Sequence, residues 1–317
     1  MRNALIIAAL ALAACTPATQ TPSAATSTAQ TAPANTLVPP HLPAFFDCLR
    51  AHSQTLVEAH RGGNSPGYAE NAVETFAHTL SLAPAIMEID IAKTKDGAFV
   101  LMHDDSVDRT TNGHGAVSDL TLAQVQALRL KDDDGTLLAG HPPTLREALD
   151  WADGKTLLAL DIKPSVTYEE VADVVRALHA ENRIIFITYT NDQAALAHRL
   201  NPAMMISVSI NRASDIAALE RRGLDDAHML AWTGITEPNA ALNIVLAQRG
   251  IEAMFGTLGD SHSWDARFAQ SGQDQYAAFA DTGLQIIGTD RAPEAARDLD
   301  AHDNVDGFGP SQCMGAS

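Results

Sequence analysis

From residue 56 to residue 289, short β-rich runs alternate with Ala-, Leu- and Arg-rich stretches of helical period, and this alternation limits the possible folds more than any other feature. The runs are Leu56 to His60, Ile86 to Ala92, Leu157 to Lys163, Ile184 to Thr190, Met204 to Ile210, His228 to Thr233, Glu252 to Leu258 and Leu284 to Thr289. Stretches such as Thr144 to Ala152, Tyr168 to Ala180, Asn191 to Leu200, Ser214 to Arg222 and Pro238 to Gln248 separate them. Repeated βα units lay their strands side by side and parallel, so the pattern predicts an α/β protein, a (β/α)8 TIM barrel. A chain of 317 residues that is 46% hydrophobic can fill such a core.

One further run, Phe99 to Asp104, does not fit the alternation. Only Lys93 to Ala98 separate it from Ile86 to Ala92, too few for a parallel crossover, so the two runs are predicted to form an antiparallel hairpin. With Asp96-Gly97 as a two-residue turn, His103 falls opposite Asp90. Residues from about 93 to 140 then become an insertion after the second strand, rising from the barrel top before helix Thr144 to Ala152 resumes the barrel.

The formal net charge of −18, with no run of Lys or Arg, removes the electrostatic footprint that nucleic-acid binding requires. An anionic substrate must therefore be held by local positive charge. Three cysteines, at 15, 48 and 313, include no CxxC pair and exclude a thiolate zinc site. Met1-Arg2, the short apolar stretch Ala4 to Ala11 and Leu12-Ala13-Ala14-Cys15 together resemble a bacterial lipoprotein signal. That implies a signal peptide over 1–14 and lipidation of Cys15; an ordinary secretory signal with a chance cysteine is the alternative. The apolar stretch is too short to span a bilayer, so membrane attachment would run through the lipid anchor only. Residues 15–38 are rich in Thr, Ala and Pro, and read as a disordered tether ahead of a folded domain over 39–317. Thr16 is not acidic, which points to the outer membrane, facing the periplasm. Export implies an oxidising compartment. Because first and last strands of a closed barrel are neighbours, a Cys48–Cys313 disulfide is predicted, with two buried free thiols as the alternative.

Residues two apart on a strand share a face. In the second run Met87, Ile89 and Ile91 point one way and Glu88 and Asp90 the other; in the third, Leu158, Leu160 and Ile162 oppose Asp161 and Lys163. Two strands thus aim charge at the barrel axis. His60 ends the first run and precedes Arg61-Gly62-Gly63, where small residues are expected to let a ligand approach backbone N–H groups. All these groups fall at strand C-terminal ends, where barrel active sites are built. Charges aimed at an apolar interior cost several kcal/mol each, of order 2–5, unless paired or metal-bound. Glu88, Asp90 and Asp161 supply hard oxygen donors, which suit Ca²⁺ or Mg²⁺; an Asp161–Lys163 ion pair without metal is the structural alternative.

These residues resemble the glycerophosphodiester phosphodiesterases. The matching strings are His60-Arg61-Gly62, Tyr68-Ala69-Glu70-Asn71 with Glu74-Thr75-Phe76, Met87-Glu88-Ile89-Asp90, Lys95-Asp96-Gly97 with Val100 and His103-Asp104, Asp108-Arg109-Thr110-Thr111, Pro143-Thr144-Leu145, Asp161-Ile162-Lys163 and Thr289-Asp290-Arg291. The resemblance implies a barrel with an insertion, one divalent cation held by Glu88, Asp90 and Asp161, and His60 and His103 as general acid and base. It implies hydrolysis of glycerophosphodiesters to glycerol 3-phosphate and an alcohol; because the net charge repels such an anion, Arg61 and Lys163 are expected on the substrate phosphate. Glu70, Asn71 and Trp232 are candidates for substrate contact or for support of the site. Asp161 stands where the family usually has Glu, and after Trp232-Thr233 an extra βα unit's worth of chain precedes Thr289-Asp290. The rival readings are a phospholipase C or D type enzyme on lipid or lysolipid headgroups, and a non-catalytic metal- or ligand-binding lipoprotein.

Overall fold

The computed structural model describes Met1, residues 36–303 and residues 312–316. The signal segment beyond Met1, Cys15 and the tether up to residue 35 lie outside the described residues. Among the described residues there are nine strands: β1 (Leu56–Ala59), β2 (Ile86–Lys93), β3 (Phe99–Leu101), β4 (Leu158–Ile162), β5 (Ile184–Ile187), β6 (Met205–Ser209), β7 (Met229–Trp232), β8 (Glu252–Gly256) and β9 (Ile286–Thr289). All but β3 pair in parallel, each with its neighbours in chain order save for β3, and β1 closes the ring by pairing with both β2 and β9. Each of the eight sequence runs overlaps one barrel strand, and the architecture is a (β/α)8 TIM barrel.

Local sequence explains how the chain turns back between strands. Thr144, Thr167 and Thr190 each cap a helix, over Leu145–Ala152, Tyr168–Ala177 and Asn191–Leu200, and each forms a capping box with Glu147, Glu170 or Gln193. A hydroxyl and a carboxylate or amide three residues apart satisfy otherwise orphaned N–H groups, which fixes where the helix starts. The outward residues Met87, Ile89, Ile91, Leu158, Leu160 and Ile162 pack with apolar helix residues such as Leu149, Val171 and Val175.

The barrel interior changes character along its axis. At the N-terminal end Leu56, Ile86, Ile185, Met205, Leu230 and Ile286 meet Phe45, Phe46 and Leu49 of helix Leu42–Ala51, which plugs the floor. Arg50 of that helix pairs with the buried carboxylate of Glu252. At the C-terminal end the inward positions are polar, and the functional groups gather there.

Two boundaries differ from the sequence reading. Leu37, assigned to the disordered tether, is fully buried in this floor cluster and its N–H donates to Lys155 O at 2.8 Å. One large apolar side chain suffices to dock the end of a polar segment. The hairpin is antiparallel as expected, but its register is Ile91 with Leu101, Ala92 with Val100 and Lys93 with Phe99. Met102, not His103, lies across from Asp90, donating to Asp90 O at 3.0 Å. The connection has three residues, Lys95-Asp96-Gly97, closed by Thr94 N–H to Ala98 O at 2.9 Å, with Gly97 at φ +84°. A type I turn followed by a left-handed residue takes three positions, and only glycine enters the last without strain. The insertion carries its own small core of Val100, Met102, Val107, Val117 and Val125.

The Cys48–Cys313 disulfide is formed, with Cα atoms 5.6 Å apart and a sequence separation of 265. Closing so long a loop restricts the unfolded chain, so replacing both cysteines by serine is expected to lower unfolding stability by about 2–5 kcal/mol. Denaturant melts of the double variant against wild type measure this; an unchanged midpoint would reject it.

Candidate active site

The chain leaves β1 into a tight turn, His60–Gly62, in which Arg61 has φ +52° and Gly62 and Gly63 have φ +82° and +84°. A Cβ on Gly62 would lie 2.1 Å from the Phe76 ring, and one on Gly63 2.7 Å from Thr79 Oγ1. The glycines therefore let the turn pack onto helix Val73–Leu82, whose side chains occupy the space expected for a ligand. The Arg61 N–H is likewise already used: it donates to Glu88 Oε2 at 2.7 Å.

Asp90 and Asp161 are directly opposite in the β2–β4 register, and Glu88 is two residues earlier on the same face. Each of the three buried acids offers an oxygen within 4.8 Å of the others. Lys163 Nζ bridges Asp90 Oδ1 and Asp161 Oδ2, at 2.7 Å from each. Asn71 donates to Asp90 Oδ2 at 2.6 Å and accepts from Asp90 N–H at 2.9 Å, so it supports the cluster from behind. Burial pushes the Glu88 carboxyl well up, and the charges of Asp90 and Asp161 push it further. Burial also pushes Asp90 up, but the charge and hydrogen bond of Lys163 outweigh it and hold that carboxyl below its ordinary value.

Donor chemistry shows whether these acids fit a metal ion. Lys163 takes one oxygen of Asp90 and one of Asp161, and Asp161 Oδ1 remains buried with no hydrogen-bond partner among the described residues. Three clustered carboxylates with one oxygen unclaimed fit a hard divalent cation. The shorter Asp161 still brings its oxygens into the cluster. The Asp161–Lys163 ion pair is also real, and it leaves this vacancy in the hydrogen bonding unfilled.

Both histidines are held through Nδ1. His60 Nδ1 is 2.6 Å from Asp290 Oδ1, and His103 Nδ1 is 2.8 Å from Asp104 Oδ1. Neither Nε2 has a hydrogen-bond partner among the described residues. Asp290 also accepts from Gly259 N–H at 3.0 Å, and its own N–H donates to Asp265 Oδ2 at 2.7 Å. Asp265 is buried and accepts from Tyr276 OH and Thr289 Oγ1, at 2.7 and 2.9 Å. Arg109, from the insertion, binds Asp104 at 2.7 and 2.9 Å and Glu70 at 2.7 and 2.8 Å, while Glu70 accepts from Arg61 Nη1 at 2.8 Å. The hydrogen bond from Arg109 holds Asp104 below the usual carboxylate range. Glu70 thus connects two arginines.

Sequence reasoning missed Asp290, Asp265 and the reach of Arg109, although Asp290 belongs to the family-like Thr289-Asp290-Arg291 and barrel closure puts the end of β9 beside His60. It also missed Glu58, which shares the inward face of β1 with His60 and was readable by the same parity as Glu88. Glu58, His60, Glu88, Asp161, Ser207 and Trp232 are among the groups lining a cavity of about 190 Å³ inside the barrel mouth. Burial pushes the Glu58 carboxyl from about 4.5 up to about 8. Above pH 4.5 the unfolded chain gives up this proton while the folded one keeps it, so Glu58 makes folding progressively less favourable up to about pH 8. The stability of Glu58→Gln relative to wild type, both in chelator, is expected to grow across that interval; a pH-independent difference in thermal melts would reject this.

The family model for the glycerophosphoryl diester phosphodiesterase family matches residues 60–209. A glycerophosphodiester phosphodiesterase of Caldanaerobacter subterraneus subsp. tengcongensis is 32% identical over 162 residues, covering 49% of this chain and 66% of that one. The chain thus spans slightly under two thirds of this relative's length. A solved glycerophosphoryl diester phosphodiesterase from Parabacteroides distasonis superposes with a TM-score of 0.74 and 32% identity, over 87% of this chain and 97% of its own. An Oleispira antarctica phosphodiesterase, solved with the product sn-glycerol-3-phosphate, shares the fold at a TM-score of 0.60 and 19% identity, over 79% of this chain and 99% of its own. Matched nearly end to end by a solved relative at this level of identity, and carrying the site just described, the chain belongs to the glycerophosphoryl diester phosphodiesterase family.

Proposed function

We propose that the protein hydrolyses glycerophosphodiesters to glycerol 3-phosphate and an alcohol by metal-dependent, histidine-assisted chemistry. The observation that supports this reading is a group of three buried carboxylates within 4.8 Å, with His60 lining the same cavity as Glu88 and Asp161 and the charge of His103 acting on Asp90. Glu88, Asp90 and Asp161 would hold Ca²⁺ or Mg²⁺, which when bound polarises a phosphoryl oxygen and acidifies an attacking hydroxyl. Lys163 and Arg61 stabilise charge on the phosphoryl oxygens in the transition state, in a protein whose net charge would otherwise repel the substrate. One imidazole removes the nucleophile's proton at Nε2 and the other protonates the departing alcohol. Asp290 and Asp104 fix the tautomers by accepting from Nδ1–H. Glu70 and Asn71 act through Arg61 and Asp90.

Asp290→Asn keeps the shape of the pair but offers Nδ1 the wrong partner. It is expected to lower kcat about tenfold or more, to leave KM close to wild type, and to shift the pH limb set by His60. Steady-state kinetics across pH measure this, and a wild-type kcat with an unmoved limb would reject it.

The function is tested by incubating the purified protein with glycerophosphodiesters, lysophospholipids and intact phospholipids, with Ca²⁺, Mg²⁺ or chelator. Release of glycerol 3-phosphate, abolished by chelator, is expected. The exposed Tyr189 and Ile235, 60% and 51% accessible, favour the lysolipid-headgroup reading, and turnover of lysophospholipids alone would select it. No turnover of any substrate would leave a binding lipoprotein. The exported, lipid-anchored location belongs to the same proposal, resting on Met1 to Cys15; fatty-acid labelling that persists in Cys15→Ser would reject it.

A further inference from the structure

Among the described residues, Glu58 is a buried carboxylate at the mouth end of the barrel interior that the proposed mechanism does not use. It is 3% exposed, and its side chain has no hydrogen-bond or ion-pair partner among the described residues. Neither of its carboxyl oxygens is sealed off; they are reached from the cavity that Glu58 lines, where a ligand hydroxyl can bond to them. The adjacent strand leaves room for one. Glu58 is in register with Gly288, where even a Cβ would come within 3.6 Å of Glu58 Oε1. The Trp232 indole lies across the neighbouring Gly256, where a Cβ would meet it at 2.5 Å.

The cavity between them joins the Glu58 carboxyl, the Trp232 indole and the hydroxyls of Ser207 and Ser209, and Glu88 and Asp161 of the acidic cluster line it too. At about 190 Å³ it is smaller than a pocket for a drug-sized ligand. Several hydroxyl-directed groups beside an apolar ring face suit a short polyol, whose O–H groups bond to the polar side and whose C–H groups rest on the indole. A carboxyl oxygen accepts from a hydroxyl, as the O–H groups of a polyol require.

We propose that Glu58 is a specificity-determining residue that binds hydroxyl groups of the substrate's glycerol moiety from the floor of this cavity. This rests on the function proposed above and assigns to this chain a contact made at the strand position two before His60.

The test is calorimetric binding of glycerol 3-phosphate and of inorganic phosphate to the protein with excess Ca²⁺ or Mg²⁺. Wild type is expected to bind glycerol 3-phosphate at least tenfold tighter than phosphate. Glu58→Ile should bring that ratio close to one with phosphate affinity unchanged, whereas Glu58→Gln, whose amide donates and accepts, should keep most of it. Gly288→Ala, which narrows the cavity beside Glu58, should lower the ratio too, and decides the matter if the isoleucine variant does not fold. A ratio unmoved by Glu58→Ile, or in its place by Gly288→Ala, overturns the proposal. So does a wild type that prefers phosphocholine to glycerol 3-phosphate, since that would mark an ammonium site. A wild type that hydrolyses glycerophosphodiesters but shows an unmoved ratio removes only the role of Glu58; one with neither turnover nor a preference removes the function as well.

Discussion

Alanine at His60 or at His103 is expected to lower turnover of a glycerophosphodiester by roughly 10²- to 10⁴-fold, while thermal unfolding stays within about 1 kcal/mol of wild type. Neither ring is part of the packed core: their side chains are 20% and 36% exposed, and each is tied by one hydrogen bond to an aspartate that is 32% exposed. Removing the ring therefore opens no cavity and leaves a carboxylate that water can reach, which separates a chemical defect from a folding defect. The two variants should also differ from each other. A diester with a p-nitrophenolate leaving group needs no protonation, so the variant lacking the acid recovers on it and the variant lacking the base does not. Near-normal turnover in either alanine variant would end the assignment of both histidines.

Loss of the acidic cluster is expected to be at least as severe. Glu88→Gln keeps an acceptor for the Arg61 N–H, so the turn after β1 is preserved while one of three carboxylates is lost. Turnover should fall by at least about 10³-fold, as should turnover of wild type in chelator. A stability measurement separates this from general damage. In chelator Glu88→Gln should be at least as stable as wild type, because burial and two neighbouring carboxylates already disfavour its charge. On adding Ca²⁺ or Mg²⁺, wild type should gain stability as a ligand-binding protein does and the variant should not. Equal metal-induced shifts in the two proteins would mean that these acids are not the metal site.

What the sequence made legible was the part governed by short-range rules. Parity along β2 and β4 is enough to aim Glu88, Asp90, Asp161 and Lys163 at the barrel axis, and βα alternation is enough to set them at one end of it. The same parity would have revealed Glu58, had β1 been read on its own before His60. The hairpin shows where such rules stop. Asp96-Gly97 marks a turn, but whether two or three residues form it depends on whether Gly97 takes the left-handed position alone, and one residue of slip moves every partner. Asp290 lies 230 residues from His60, and only closure of β9 onto β1 brings them together. The purpose of Gly62 and Gly63 was equally hidden, since it depends on where Phe76 and Thr79 of a later helix come to rest.

The bond between Cys48 and Cys313 makes the barrel a covalent ring rather than an open string. A protease that cuts a single exposed loop at the rim opens that ring without freeing a fragment, and the two pieces stay joined at the plugged end until a reductant separates them. A nicked molecule can therefore keep its strands in place and run as one species on a non-reducing gel. Damage at the mouth, where the working loops are most accessible, need not release either half of the barrel.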